Sequence, residues 1–118
     1  MMNIQNFYKI CGCIKAEWRS PKQIDEKNLI EALSFVKENK KYKPELLKYF
    51  IGILNGEVDM PLELVEFCMR ELQWPEIKTL ALEQLKKSDP RIRSSMEHVL
   101  EVYEPEWSDS DLYQYYSK

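Results

Sequence analysis

The sequence predicts an all-α fold of six or seven short helices, stacked as α-α hairpins in a solenoid or a compact helical bundle. Apolar residues recur at the three- and four-residue spacings that place one apolar stripe along a helix. Prolines at positions 21, 44, 61, 75 and 90 punctuate these stripes. Because a proline is tolerated in the first turn of a helix, these positions indicate helix starts. The connections are short, which favours antiparallel or steeply crossed neighbours.

The length and composition fit one domain. A chain of 118 residues, 44% hydrophobic and 31% charged, can bury a core of its own. We therefore predict a single helical domain over residues 1–118.

The most apolar stretch, 46–54, contains Lys48 and is far shorter than the roughly 20 residues that cross a bilayer. The N-terminus does not resemble a secretory signal. Three cysteines, an odd number, disfavour a disulfide framework, and the cytoplasm is the expected location.

The first half of the chain is predicted to hold three helices, of which the first covers residues 3–19. The second helix has two possible starts. Ser20 and Gln23 have the spacing of a capping box, which favours a start at Pro21. Asp25 is the other possible start. The sequence does not decide between them.

The third predicted helix runs from Glu45 to about Asn55, and Gly56 follows where a left-handed residue is favourable. Its apolar residues cover most of its circumference, so we expect it to be central in the core.

Three further helices are predicted between Pro61 and Tyr103, separated by the proline-containing stretches 73–76 and 88–91. Pro105 ends the last of them. Ser108 and Asp111 then have the spacing of a helix cap, which predicts a short terminal helix.

Two segments of the second half, 74–85 and 89–100, share an order of residue types. The second opens with Asp89 and Pro90, and Arg93 and Ala81 supply a basic and a small residue within the two segments. This order resembles the Asp-Pro, Val/Ile-Arg, small-residue and leucine pattern of HEAT repeats. The resemblance implies a HEAT-like packing of helical hairpins. Small, acidic, all-helical bacterial proteins of this kind are similar to immunity proteins, which implies a function in neutralising a toxin.

Charge is distributed unevenly along the chain. Residues 1–50 carry ten basic and six acidic side chains, a net charge of +4, whereas residues 51–118 carry seven and fourteen, a net charge of −7. An acidic second half is a poor surface for nucleic acid and a plausible docking surface for a basic protein. A solvated helix face is the other interpretation of these acids.

The function predicted from these features is that of a non-catalytic, immunity-type inhibitor that covers the active site of a basic toxin. Carboxylates would steer the encounter, and aromatic rings would anchor it. The alternative for the terminal rings is that they pack back onto the last helical hairpin. The residues predicted to bind the partner are Glu97, Glu101, Glu104, Trp107, Asp109, Asp111 and Tyr115.

No catalytic residue, cofactor or metal site is predicted. His98 is the only histidine, and its helical position indicates a surface or partly packed side chain. Cys11 and Cys13 could join Cys68 and His98 around a soft metal, but small buried residues are the favoured interpretation. Acidic pairs at helical spacing are expected to be solvated charge. These pairs include Glu63 with Glu66 and Glu97 with Glu101.

Two other classes of function stay open. One is a structural or adaptor helical-repeat subunit that assembles with itself. The other is a nucleic-acid binder that uses the lysines between Lys37 and Lys48, because lysines interleaved with Tyr42 and Tyr49 can contact phosphates and stack on bases.

Overall fold

Six α-helices and two 3₁₀ helices make up the regular structure of the computed structural model, which describes residues 3–21, 23–87 and 89–116. No strand occurs among these residues, and the predicted all-α fold is confirmed. The 3₁₀ helices are Lys40–Tyr42 and Ser108–Leu112. The α-helices are α1 (Ile4–Arg19), α2 (Glu26–Glu38), α3 (Lys43–Leu54), α4 (Leu62–Leu72), α5 (Pro75–Leu85) and α6 (Pro90–Glu101).

The start of α2 lies at the second of its two predicted places. Asp25 is the N-cap, and its carboxylate accepts a hydrogen bond from the backbone N–H of Lys27 at 3.0 Å. Ser20 instead ends α1 and donates its hydroxyl to the carbonyl of Glu17 at 3.1 Å. The carboxylate of Asp25 also complements the positive end of the helix dipole, whereas Ser20, the cap of the alternative start, has no carboxylate.

The ends of α3 and α4 both use the left-handed backbone region. Gly56 has a φ of 77° and follows α3, as its sequence position predicts. Gln73 ends α4 with a φ of 53°, which is unusual for a residue other than glycine. Its side-chain amide donates to the carbonyls of Met69, at 2.9 Å, and Val102, at 3.0 Å. These bonds hold Gln73 in place and join the end of α4 to the end of α6.

The helices pack as hairpins around α4. Helix α1 lies against α2 and α5 lies against α6, while α4 contacts α2, α3 and α6. The inward side chains of α4 are fully buried, whereas α3, which we expected to be central, leaves Leu47, Tyr49 and Ile51 partly exposed. The buried side chains of α4 are Leu64, Val65, Phe67, Cys68 and Met69.

The helices form a compact bundle, one of the two arrangements that the sequence left open. The radius of gyration is 13.8 Å, close to the roughly 13.5 Å that a folded chain of this length should have. No helix among the described residues has both the length and the apolar character needed to span a membrane.

Two helical glycines stand in opposite surroundings, and this difference gives a matched test. A Cβ built on Gly52 in α3 would lie 2.7 Å from Cγ2 of Val58, whereas a Cβ on Gly12 in α1 would meet nothing within 4 Å. Val58 cannot easily move, because it is stiff at χ1 and its backbone N–H donates to the carbonyl of Gly52 at 3.0 Å.

We expect Gly52→Ala to lower the free energy of unfolding by about 1–3 kcal/mol, because overpacking displaces the turn after α3. Gly12→Ala should raise it by about 0.5–1 kcal/mol, because alanine favours the helix and no atom obstructs it. Urea denaturation of both variants is the measurement. Equal effects of the two substitutions would contradict the close approach at Gly52.

Candidate functional site

The last described residues of the chain pack against α4. We call residues 107–116 the C-terminal segment. Its tyrosine rings surround the buried Phe67, with centroid separations of 5.0 Å for Tyr113, 5.8 Å for Tyr115 and 5.0 Å for Tyr116. The ring of Trp107 stacks on Tyr113 at 5.7 Å. The terminal aromatics therefore complete the core of the bundle.

Hydrogen bonds fix the same segment to α2 and α4. The Glu26 carboxylate accepts the backbone N–H groups of Gln114, at 3.0 Å, and Tyr115, at 2.8 Å. The hydroxyls of the three tyrosines each find an acceptor on α4. Tyr113 donates to Glu63, Tyr115 to Glu71, and Tyr116 to the carbonyl of Phe67.

These contacts change the predicted role of the aromatic residues. Trp107 is only 4% exposed, so its ring packs inside the protein, and the structure does not support it as an anchor for a partner. The alternative interpretation was that the terminal rings pack back onto the protein itself, and this is what Trp107 does. The terminal rings pack on α4, however, and not on the last hairpin. Tyr115 is partly exposed and stays in the predicted interface. The terminal helix is the 3₁₀ helix Ser108–Leu112.

The predicted carboxylates lie at the C-terminal end of α6, in the 3₁₀ helix Ser108–Leu112 and, for Glu104, in the stretch between the two. Glu101 and Asp109 are partly buried and lie close to each other. The remaining predicted carboxylates, Glu97, Glu104 and Asp111, are exposed.

Glu66 on α4 adds a further acid to this region. Burial, together with the smaller effect of the charges of Glu63, Asp109 and Glu101, raises the pKa of its carboxyl group to about 7. Our expectation that Glu66 is ordinary solvated charge is therefore wrong, because α6 and the C-terminal segment partly cover it. The sequence alone did not reveal this, since the helical spacing of Glu66 relative to Glu63 is typical of an exposed pair.

The described basic side chains form no ion pair with the carboxylates of this region. Their ion pairs join Lys15 and Arg19 to Asp59, Lys37 to Glu71, and Lys43 to Glu76, all away from the carboxylates around Glu66.

Arg70, on the same helix as Glu66, is committed to the backbone. Its guanidinium donates to the carbonyls of Val102, Glu104 and Pro105 at 3.1, 2.5 and 3.0 Å. Arg70 therefore satisfies carbonyl groups after the last turn of α6 and joins α4 to the chain that follows α6.

We call the predicted carboxylates together with Glu66 the acidic face. Glu66, Glu101 and Asp109 are its centre, because their charges act on one another. Glu97 lies one helical turn before Glu101, and the exposed residues Glu104 and Asp111 follow Glu101 in the chain. The acidic face comprises Glu66, Glu97, Glu101, Glu104, Asp109 and Asp111.

His98 lies at the edge of the acidic face. It is exposed, as predicted for a surface histidine. One ligand atom from each of His98, Glu101 and Asp109 lies within 4.8 Å of the other two. The sequence contained part of this signal, because His98 and Glu101 are three residues apart on one helix and therefore share a face. The position of Asp109 could not be inferred, since it depends on how residues 102–107 turn.

The three cysteines and His98 do not come together as ligands of one metal ion, an arrangement that the sequence left open. Cys11 and Cys68 are buried, but Cys13 is exposed, so the expectation of a small buried residue is wrong for Cys13. None of the three cysteines belongs to a group of converging metal ligands among the described residues. Burial raises the pKa of the Cys11 thiol to about 12 and also raises the pKa of Cys68. Both buried thiols are therefore inert packing groups.

The basic cluster is partly neutralised within the bundle. Lys37 pairs with Glu71, and Lys43 pairs with Glu76 at 3.3 Å. The ammonium of Lys43 also lies 5.1 Å from the ring centroid of Trp74. These contacts hold two of the five lysines of the cluster, Lys37 and Lys43, against acids of the bundle.

No protein-family model, curated protein or solved structure matches this chain significantly.

Proposed function

We propose that this protein is a non-catalytic protein-binding module whose acidic face docks onto a basic protein. The observation that carries the proposal is the concentration of carboxylates around Glu66, which no described Lys or Arg neutralises by an ion pair. Like charges held together on one surface destabilise the chain that carries them. A partner that brings positive charge relieves this repulsion.

In the more specific form of this proposal, the protein is an immunity-type inhibitor of bacterial origin that acts in the cytoplasm. Its acidic face covers the basic active site of a toxin, and inhibition arises from occlusion. The HEAT-like order of residues in 74–85 and 89–100 and the small, acidic, all-helical character of the chain support this form. The firm packing of the C-terminal segment supports it further, because a preorganised surface loses little conformational entropy on binding.

A pull-down from the source cells with the tagged chain identifies the partner. The proposal expects one stoichiometric basic protein whose toxic or enzymatic activity falls when this protein is added. Recovery of the chain itself alone would favour the adaptor alternative, and recovery of nucleic acid would favour the lysine cluster.

Charge reversal then locates the docking surface. The double variant Glu97→Lys/Asp111→Lys should slow association with the recovered partner by about tenfold or more, because electrostatic steering raises association rates by 10–10³. Surface plasmon resonance at low and high salt measures both the rate and its screening. Both substituted residues are exposed, so the fold should tolerate the change.

The matched control is Glu31→Lys/Glu83→Lys, which makes the same change of net charge at two exposed positions on α2 and α5. It should slow association much less than the acidic-face variant. Equal slowing by both pairs would show that net charge alone matters. An association rate that does not change with salt would contradict docking through the acidic face.

A further inference from the structure

We propose that His98, Glu101 and Asp109 form a binding site for a single divalent transition-metal ion of the zinc class. The site joins two elements, because His98 and Glu101 belong to the last turn of α6 and Asp109 belongs to the 3₁₀ helix Ser108–Leu112. One ligand atom from each residue lies within 4.8 Å of the others. This inference does not depend on the proposed partner.

The three side chains need only small movements to surround one ion. Ligand atoms that bind zinc at about 2.0–2.2 Å lie roughly 3.3 Å apart in a tetrahedral site. Rotation about side-chain bonds can close the difference, since His98 is exposed and makes no hydrogen bond or ion pair within the described part of the chain. Glu101 and Asp109 are likewise in no described ion pair.

The donor types select the class of ion. Imidazole nitrogen together with carboxylate oxygen suits Zn²⁺ and its first-row neighbours, whereas Mg²⁺ and Ca²⁺ prefer oxygen ligands alone. Three protein ligands at a partly exposed position leave a fourth place for water. The site therefore resembles an open zinc site in its ligand count, with solvent able to reach the ion.

The surroundings of the three residues independently favour a cation. Glu66 on α4 is close enough to Glu101 and Asp109 for its carboxylate to repel theirs. A dication bound by Glu101 and Asp109 would offset this repulsion at its source, and it would fasten the 3₁₀ helix to α6.

Zinc titration of the untagged chain, followed by isothermal calorimetry, tests the proposal. We expect one zinc ion per chain and a rise in the thermal unfolding temperature, because a ligand that binds the folded state stabilises it. His98→Ala and Asp109→Asn should each weaken binding by more than about tenfold, since even changes in the outer shell of a metal site cost 10–100-fold. Cobalt as a second probe should give the absorption bands of a nitrogen- and oxygen-ligated ion.

Two matched controls isolate the site. Asp111→Asn makes the same chemical change as Asp109→Asn on the same 3₁₀ helix, at an exposed position outside the three ligands, and should keep full affinity. Cys13→Ser removes the exposed thiol and should also leave binding unchanged. Circular dichroism checks that each variant is folded, and the thermal shift with zinc provides a second readout.

Three results would overturn the proposal. The first is no binding at 100-fold excess zinc over protein. The second is equal affinity in the Asp109→Asn and Asp111→Asn variants. The third is loss of binding in Cys13→Ser, which would assign the ion to the thiol.

Discussion

Replacing Phe67 with alanine should lower the free energy of unfolding by about 3–5 kcal/mol, the usual range for a buried phenylalanine. The side chain is fully buried on α4, and the rings of Tyr113 and Tyr116 each lie 5.0 Å from it. The substitution therefore removes the base on which the C-terminal segment packs. Because total stabilities are about 5–15 kcal/mol, the variant should remain folded only marginally. Urea denaturation measures the loss.

The selective part of this prediction concerns the C-terminal segment. In Phe67→Ala, backbone amides of residues 107–116 should exchange with solvent faster than those of α1, because the segment detaches before the bundle unfolds. Phe35→Ala on α2 is the control. Phe35 is 1% exposed, and its ring packs on Phe7 at 5.7 Å, away from the segment.

The control variant should lose comparable stability without selective exchange in residues 107–116. If the segment exchanges no faster than α1 in Phe67→Ala, Phe67 is not its anchor. Selective exchange in both variants would show that the segment responds to any weakening of the core.

The parts of the fold that the sequence predicted correctly depend on local chemistry. Pro75 and Pro90 stand in the first turns of α5 and α6, and Asp89 accepts the backbone N–H of Arg91 at 2.9 Å. Gly56 adopts the positive φ that its position after a helix requires. Each of these features is determined by atoms within four residues in the chain, so inspection of the sequence can find them.

The parts that the sequence did not predict depend on contacts between distant residues. Trp107 has the polar and acidic neighbours of an interface residue, yet it is buried because the chain turns back over α4. Arg70 has the spacing of a surface residue, yet it binds three carbonyls more than 30 residues away. Helical periodicity describes which face a residue occupies, and it does not state which other element covers that face.

The candidate site also has a part that local sequence predicts and a part that depends on contacts between distant residues. The carboxylates at the end of α6 could be selected from composition and spacing alone. Their relation to Glu66 and to Asp109 required the bundle, because three separate elements bring these groups together. The sequence therefore predicted that the surface carries negative charge, and the structure shows that its charges repel one another at Glu66.

That repulsion leads to the second large effect, at Glu66. Glu66→Gln should raise the free energy of unfolding at pH 8 by about 2 kcal/mol. In the folded protein, burial and the charges of Glu63, Asp109 and Glu101 raise the pKa of this carboxyl group from its ordinary 4.5 to about 7. Each pKa unit corresponds to about 1.4 kcal/mol, so the complete shift would represent about 3 kcal/mol. Partial exposure of the side chain reduces the expected effect.

The direction of the pH dependence follows from proton binding. Between about pH 4.5 and pH 7 the folded protein holds a proton on Glu66 that the unfolded chain has already released. Stability from this group is therefore fully present below pH 4.5 and is lost as the pH rises through 7. Glutamine stays neutral throughout, so the benefit of Glu66→Gln should be largest at pH 8 and should fall to about a quarter of that value at pH 5.

Urea denaturation of the wild-type chain and of Glu66→Gln at pH 5 and pH 8 measures this difference. Glu97→Gln is the matched control, because it makes the same chemical change at an exposed position of the acidic face. It should alter stability by less than about 0.5 kcal/mol at either pH. A benefit of Glu66→Gln that is equal at the two pH values would mean that packing, and not the buried charge, limits stability here. Such a result would also remove Glu66 as the centre of the acidic face, because its carboxylate would then be as well solvated as that of Glu97.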